Sequence, residues 1–504
     1  MALTGAWPIF LFIAVSTVAV SYGWGMRGTT LGGEKGAMLP GALMGLMLAV
    51  FSGSPFLLEH FYLLSAAGAL AIYPGGSMSY MQSIGLGSDS NPPENLKRGL
   101  TGIAVKGSIW FGIFGAVMGL FMTFLTGGYD LLAVIILFAV MPLAGLIGSR
   151  LFDRPFDEKK GIHPKIYFSR NRPEGMGVLF GILMELIVFA IVYRDAAALW
   201  LTLGSTISGG AGFVLAQLMN IRAKYPNQKG WQFLGKYHKQ GWIDTWKIAE
   251  CSYGAIAGLG ISITFTLIVK FLPGTQASYA AIDALPQTIN IQPWILPVVF
   301  VALLALDMLR HVFKRPKTEQ ELRYMRSRGW LNDAEVEMGL QKAAKPPTKA
   351  WQLYETISNI AQFPIYCYIP LLMLFLGSAG AAQLVSFYVL YYVIVEQQAM
   401  ERFSNFKTIV LWRIGLLGAG AFVIFAQFFW GWTPGLLPTM LLYGAGYEAL
   451  TLVGNIAKNS PDRRGKKTVK ESSLREAYGG TATMHAYYFI CIAIITAFAA
   501  AVSL

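Results

Sequence analysis

Apolar stretches of membrane-crossing length recur along the whole chain, and no other feature restricts its folding as much. A spanning helix takes about 20 mostly apolar residues. Such runs fall near 7–23, 35–52, 56–84, 100–126, 130–149, 175–193, 195–219, 247–272, 293–313, 352–376, 380–398, 408–430, 434–456 and 477–503. They predict an all-α, polytopic integral membrane protein with about fourteen transmembrane helices. The chain has 504 residues, of which 55% are hydrophobic and only 13% charged, against about 25% charged in a soluble domain. A chain this long and this apolar has no single soluble core that would hide so many runs.

The net charge of +13 raises nucleic acid as a partner, and the distribution of the charge argues against it. Basic residues sit in short loops between apolar runs, as in cytoplasmic loops of membrane proteins. Arg27 and Lys35, Lys97 and Arg98, Arg150 to Arg172, Arg222 to Lys239, and the loops at 314–350 and 457–475 all follow odd-numbered runs. Connections after even-numbered runs are short or nearly uncharged, with Arg194 as the exception. The alternation predicts an N-out/C-out threading through the cytoplasmic membrane. The start of the chain has no basic segment or small-residue cleavage site, so its first run is expected to be a retained helix.

Three parts follow from this reading: an N-terminal membrane bundle of about nine helices at 1–313, a cytoplasmic linker at 314–350, and a C-terminal bundle of about five helices at 351–504. Within the linker, Thr318 to Leu340 has a helix-compatible composition.

Two segments repeat each other. Gly210, Gly212 and Phe213 precede Asn220, Ile221, Pro226 and Gly230; Gly444, Gly446 and Tyr447 precede Asn455, Ile456, Pro461 and Gly465 at matching spacing. Each is followed by a glutamate, a tyrosine and a glycine: Glu250, Tyr253 and Gly254, then Glu476, Tyr478 and Gly479. A fainter third copy runs from Gly75 and Gly76 through Pro92 to Lys97, with Lys106 in the place of the glutamate. These units predict internal parallel helix–loop–helix repeats. The glycine pairs Gly75–Gly76 and Gly209–Gly210 either break their helices and expose backbone to a ligand, or let helices pack closely.

Ionisable residues inside apolar runs are the sharper functional signal, because each costs at least about 2.5–3.5 kcal/mol near the bilayer centre. Lys106, Glu185, Asp307, Arg413, Glu448 and His485 are of this kind. Opposite charges at similar depth have two obvious pairings, Lys106 with Glu448 and Arg413 with Glu250. The glycine-dense loop from Gly23 to Glu34 carries Arg27, which suits a carboxylate or phosphate. Glu34, Glu174 and Glu476 open helices, where acidic residues also serve as ordinary caps. Gln82 and Gln217 follow the two glycine pairs. The candidate solute- and ion-binding set is therefore Arg27, Glu34, Gln82, Lys106, Glu174, Glu185, Gln217, Glu250, Arg413, Glu448, Glu476 and His485.

No HExxH, GxSxG, CxxC or paired-histidine spacing occurs, and Cys251, Cys367 and Cys491 all lie in apolar runs. No catalytic residue, metal ion or cofactor is expected. The segment Asp462 to Lys467 resembles the cytoplasmic D-R-x-G-R-[RK] loop of major facilitator transporters. There it follows an early helix, whereas here it precedes the last run, and no residue role carries over. The expected function is a secondary transporter or permease for a small polar or charged solute, coupled to protons or sodium. The alternative is a membrane-embedded transferase acting on a lipid-linked substrate at the cytoplasmic face. The lipid bilayer and a small-molecule solute are the expected partners; the sequence leaves the oligomeric state open.

Overall fold

The computed structural model describes residues 2–27, 33–88, 93–157, 160–169, 172–224, 232–240, 242–286, 319, 322, 333–343, 349–350, 353, 367–378, 380 and 482–503. These residues are mostly helical, with no strand among them. In chain order they form α1 (Ala6–Arg27), α2 (Gly33–Phe51), α3 (Pro55–Glu59), α4 (Tyr62–Ile72), α5 (Tyr80–Ser88), α6 (Pro93–Leu125), α7 (Leu131–Gly148), α8 (Met176–Val192), α9 (Ala196–Lys224), α10 (Gln232–Lys239), α11 (Thr245–Phe271) and α12 (Thr275–Ala280). Further helices span Asp333–Ala343, which overlaps the end of the stretch expected to be helical in the linker, and Ile369–Phe375 and Ala482–Ser503. The runs at 293–313, 380–398, 408–430 and 434–456 lie outside the described residues, as does the second copy of the repeat.

Among the described residues five helices are long and apolar enough to cross a membrane: Ala6–Met26, Asn95–Leu125, Leu131–Asp153, Ala196–Ile221 and Thr245–Phe271. The outward surface fits that reading. One side of α7 exposes Leu132, Ile135, Val140, Leu143, Leu146 and Ile147. A continuous apolar face of that kind is tolerated in lipid and rarely in water.

The bundle centres on α6, which packs on α9, α8, α4 and α5, while α11 joins α1 to α9. Rings fill the crossing of α1, α6, α9 and α11. Trp24 meets Trp110 and Tyr253 edge-on at 5.4 and 4.3 Å, and Phe213 stacks on Trp110 at 5.9 Å. Small residues set the tightest approach, α2 on α4, where an added Cβ on Gly41 or Gly68 would run into the other's carbonyl. Backbones that come this close gain van der Waals contact without help from the hydrophobic effect, which is absent between helices in lipid.

Helix starts are satisfied locally. Asp130 accepts from Ala133 N at 2.7 Å ahead of α7, and Asp244 from Trp246 N at 2.8 Å ahead of α11. Asp195 accepts from Ala198 N at 2.9 Å ahead of α9, and its second oxygen accepts from the Tyr129 hydroxyl. Burial first, and the Asp195 carboxylate second, hold the Tyr129 hydroxyl above the usual tyrosine range. The phenol therefore remains a donor to Asp195 at any ordinary pH.

Candidate functional site

The long run at 56–84 is not one helix. The short α3 is followed by α4, which ends at Ile72; a 3-10 turn occupies Tyr73–Ser77, the backbone is extended at Met78, and α5 starts at Tyr80. Pro74 lacks an N–H and ends the regular ladder. Gly75 then lies directly beneath the Trp110 indole, where a Cβ would collide with the ring. The same indole donates through Nε1 to the Ile72 carbonyl at 2.6 Å. Backbone groups released inside apolar protein must find partners: Pro74 leaves the Leu70 carbonyl, four residues back, without its helical donor, and the Cys367 thiol donates to it at 3.2 Å.

A buried ion pair supplies others. Lys106 Nζ lies 2.5 Å from Glu174 Oε2, and both side chains are fully enclosed. The ammonium also donates to the Ser79 carbonyl at 3.1 Å and to Ser83 Oγ at 2.8 Å. Glu174 Oε1 accepts from Phe168 N at 2.5 Å, and Ser79 N donates to the Glu174 carbonyl at 3.2 Å. Ser79 and Ser169 share a hydroxyl hydrogen bond of 2.7 Å. The pair thus fastens the break to α6 on one side and to the segment before α8 on the other. Glu174 does not cap α8; Asp153 does, accepting from Gly177 N at 2.9 Å and Val178 N at 3.2 Å.

An open cavity of roughly 470 Å3 adjoins this network, lined by residues 76–82 on one wall and by Arg172, Pro173 and Gly175 on the other. The half-buried Gln82 and the exposed Arg172 are its polar side chains of longest reach. The start of α5 faces the same space, and the N–H groups there favour negative charge. The cavity therefore suits a small solute with an anionic or hydrogen-bonding group, held by Arg172, Gln82 and the serine hydroxyls. Lys106 and Glu174 stand behind the wall, already saturated.

The remaining sequence candidates separate. Glu250 pairs with Lys247 at 2.8 Å, within one turn of α11, and Trp246 Nε1 donates to it at 3.0 Å. Lys247 also donates to the Gly25 carbonyl at 3.3 Å, which ties α11 to α1. Glu185 sits in the middle of α8 with Oε2 enclosed and without a hydrogen-bond partner. Gln217 is buried in α9. Lys106 and Glu250 thus have the local partners Glu174 and Lys247, while Glu448 and Arg413, the partners expected from the sequence, lie outside the described residues. Lys106, Glu185 and Glu250 have separate surroundings. Arg27, Glu34 and His485 have described backbone only, and Arg413, Glu448 and Glu476 lie outside the described residues.

The pair Gly209–Gly210 does not interrupt α9, which runs unbroken through it. An added Cβ on Gly209 would meet Phe111 and the Gly107 carbonyl of α6, so this pair serves close packing. Sequence reasoning missed Ser79, Ser83, Ser169, Asp153 and Arg172 as members of the site. Ser79 and Ser83 in an apolar run give no periodic signal, and Asp153 stands too far in sequence from the start of α8 at Met176 to be marked as its cap. Among the described residues no group of three or more histidine, cysteine or acidic side chains has metal-binding proximity.

Comparison with known proteins gives no relative: no family model matches the chain, and neither a curated protein nor a solved structure is similar to it.

Proposed function

We propose that the protein is a multi-pass permease of the cytoplasmic membrane for a small polar or charged solute. In this reading about fourteen helices cross the bilayer, both termini lie outside, and the solute enters at the cavity between Gly76–Gln82 and Arg172–Gly175. One observation carries the reading: the apolar run at 56–84 is interrupted at Tyr73–Ser79, between α4 and α5, and the break borders an open cavity of roughly 470 Å3. Irregular backbone at membrane depth persists only where protein buries it or it lines a wet cavity. Discontinuous helices of this kind present helix starts to anionic groups. Glu185, Glu250 and Glu448 remain the residues proposed to handle protons or cations, Arg27 and Arg413 those proposed for an anionic group of the solute, and the repeat units the proposed moving parts.

A second reading has an observation in its favour. Lys106–Glu174 and Lys247–Glu250 are closed pairs, and the cavity opens beside Arg172, in a basic loop. Polar groups gathered at one face fit a transferase for a lipid-linked substrate.

The purified protein, screened by thermal shift against small anionic and zwitterionic solutes, distinguishes the two. A solute present at 100 times its dissociation constant adds about 2.7 kcal/mol of stability. The permease reading expects a stabilising solute that exchanges across sealed proteoliposomes, with both effects lost in Gln82→Ala/Arg172→Ala. Binding without exchange would overturn it and leave the enzyme.

A further inference from the structure

Among the described residues, Glu185 is an ionisable group inside the bundle whose enclosed Oε2 has no hydrogen-bond partner. It is the tenth of seventeen residues in α8, about 15 Å from the helix start at 1.5 Å per residue. Residues of a helix turn by about 100° each, which places Glu185 on a boundary. Ile182, Leu186 and Phe189 form the buried face beside it, and Met184, Val188 and Val192 the exposed one. The carboxyl therefore lies where the buried face adjoins the exposed one, with Oε2 enclosed. Beside Ile182 and Leu186 the interior is apolar, with a void of about 20 Å3 between α4, α6, α7 and α8.

Among the described residues, the elements around α8 offer the carboxyl no counter-ion. They are α6, α7, α9, the turn Ser149–Asp153 and the segment from Cys367 to Leu371. α7 has no ionisable residue, and α9 has none before Arg222. Within the apolar part of α6 the ionisable residue is Lys106, held by Glu174; Asp153 caps α8, and Arg150 is exposed. The Tyr368 phenol lies within electrostatic range of the carboxyl, but its hydroxyl donates to the Phe138 carbonyl. The Cys367 thiol donates to the Leu70 carbonyl at 3.2 Å. An ionised carboxylate with no partner in such a place is far costlier than the neutral acid.

We propose that Glu185 is a proton-binding site within the membrane, a carboxyl that carries its proton at neutral pH and gives it up as the pH rises. The step is a simple acid dissociation: the O–H electron pair stays on the carboxylate, the proton goes to water or buffer, and nothing is oxidised or reduced. The inference deepens the permease reading by naming the coupling ion, but the chemistry at the carboxyl stands without it.

The test is modification of the full chain in lipid by dicyclohexylcarbodiimide, an apolar reagent that reaches carboxyls from the bilayer. It adds to the protonated acid, and the adduct rearranges to a stable acylurea that retains all atoms of both reactants. Peptide mass spectrometry should find the adduct on Glu185 at about pH 6 and at least about tenfold less at about pH 10, because only the neutral acid reacts. A water-soluble carbodiimide should instead modify exposed carboxylates such as Asp130, and Glu185→Gln should abolish the apolar adduct. Absence of the adduct at every pH, or an equal yield at every pH, would overturn the proposal. Failure of every solute to cross proteoliposomes would count against the permease and leave this result untouched.

Discussion

At the scale of single residues, the Lys106–Glu174 pair decides how the break before α5 is held. Both charges are fully enclosed, so losing one partner leaves the other stranded, at a cost of about 3–5 kcal/mol. Lys106→Met and Glu174→Gln should each lower the unfolding temperature in detergent strongly. The double variant should lose less than the sum of the two, because no uncompensated charge remains. Equal and additive losses would mean that the two groups do not stabilise each other. Sequence alone marked both residues but for unrelated reasons, Lys106 as a charge in an apolar run and Glu174 as a helix cap. Their pairing was not legible. It depends on the fold bringing the middle of α6 against the segment before α8, and nothing in local spacing records that.

Among elements, most helices were legible and the break was half legible. The run at 7–23 appears as Ala6–Arg27 and the run at 130–149 as Leu131–Gly148, because helices in oil follow from uninterrupted apolar length. Two glycine pairs looked alike, yet only Gly75–Gly76 interrupts its helix. Pro74 precedes that pair, and the Trp110 indole donates to the Ile72 carbonyl beside it; Gly209–Gly210 has no proline and faces α6 instead. Glycine content alone could not separate a hinge from a packing surface. Substitution should. Gly68→Val would push a branched side chain into the Gly41 carbonyl and the α4 crossing, and should destabilise by at least about 1–3 kcal/mol through overpacking. Gly85→Ala, with no atom within 4 Å of the new methyl, should be neutral or stabilise by up to about 1 kcal/mol through helix propensity. Unfolding curves of the two variants, measured side by side, check the contrast; a harmless Gly68→Val would deny the close crossing of α2 and α4.

For the molecule as a whole, the threading through the bilayer connects sequence to function, and loop charge makes a definite forecast of it. If loops after odd-numbered runs face the cytoplasm, the segment following α7 is inside and the turn between α6 and α7 is outside. Thr126 and Lys160 are exposed on these two connections, and the native cysteines Cys251, Cys367 and Cys491 are all buried. Single cysteines at Thr126→Cys and Lys160→Cys therefore report the two sides with little background. A membrane-impermeant maleimide should label the first on intact cells and the second only after the membrane is opened. Reversed labelling would invert the proposed orientation and move the Arg172 cavity to the outer face, where neither a cytoplasmic solute entrance nor a cytoplasmic transferase site could be kept. Labelling of both from one side would mean that α7 does not cross at all. That outcome would leave the apolar residues from Leu132 to Ile147 without the lipid contact that accounts for their exposure.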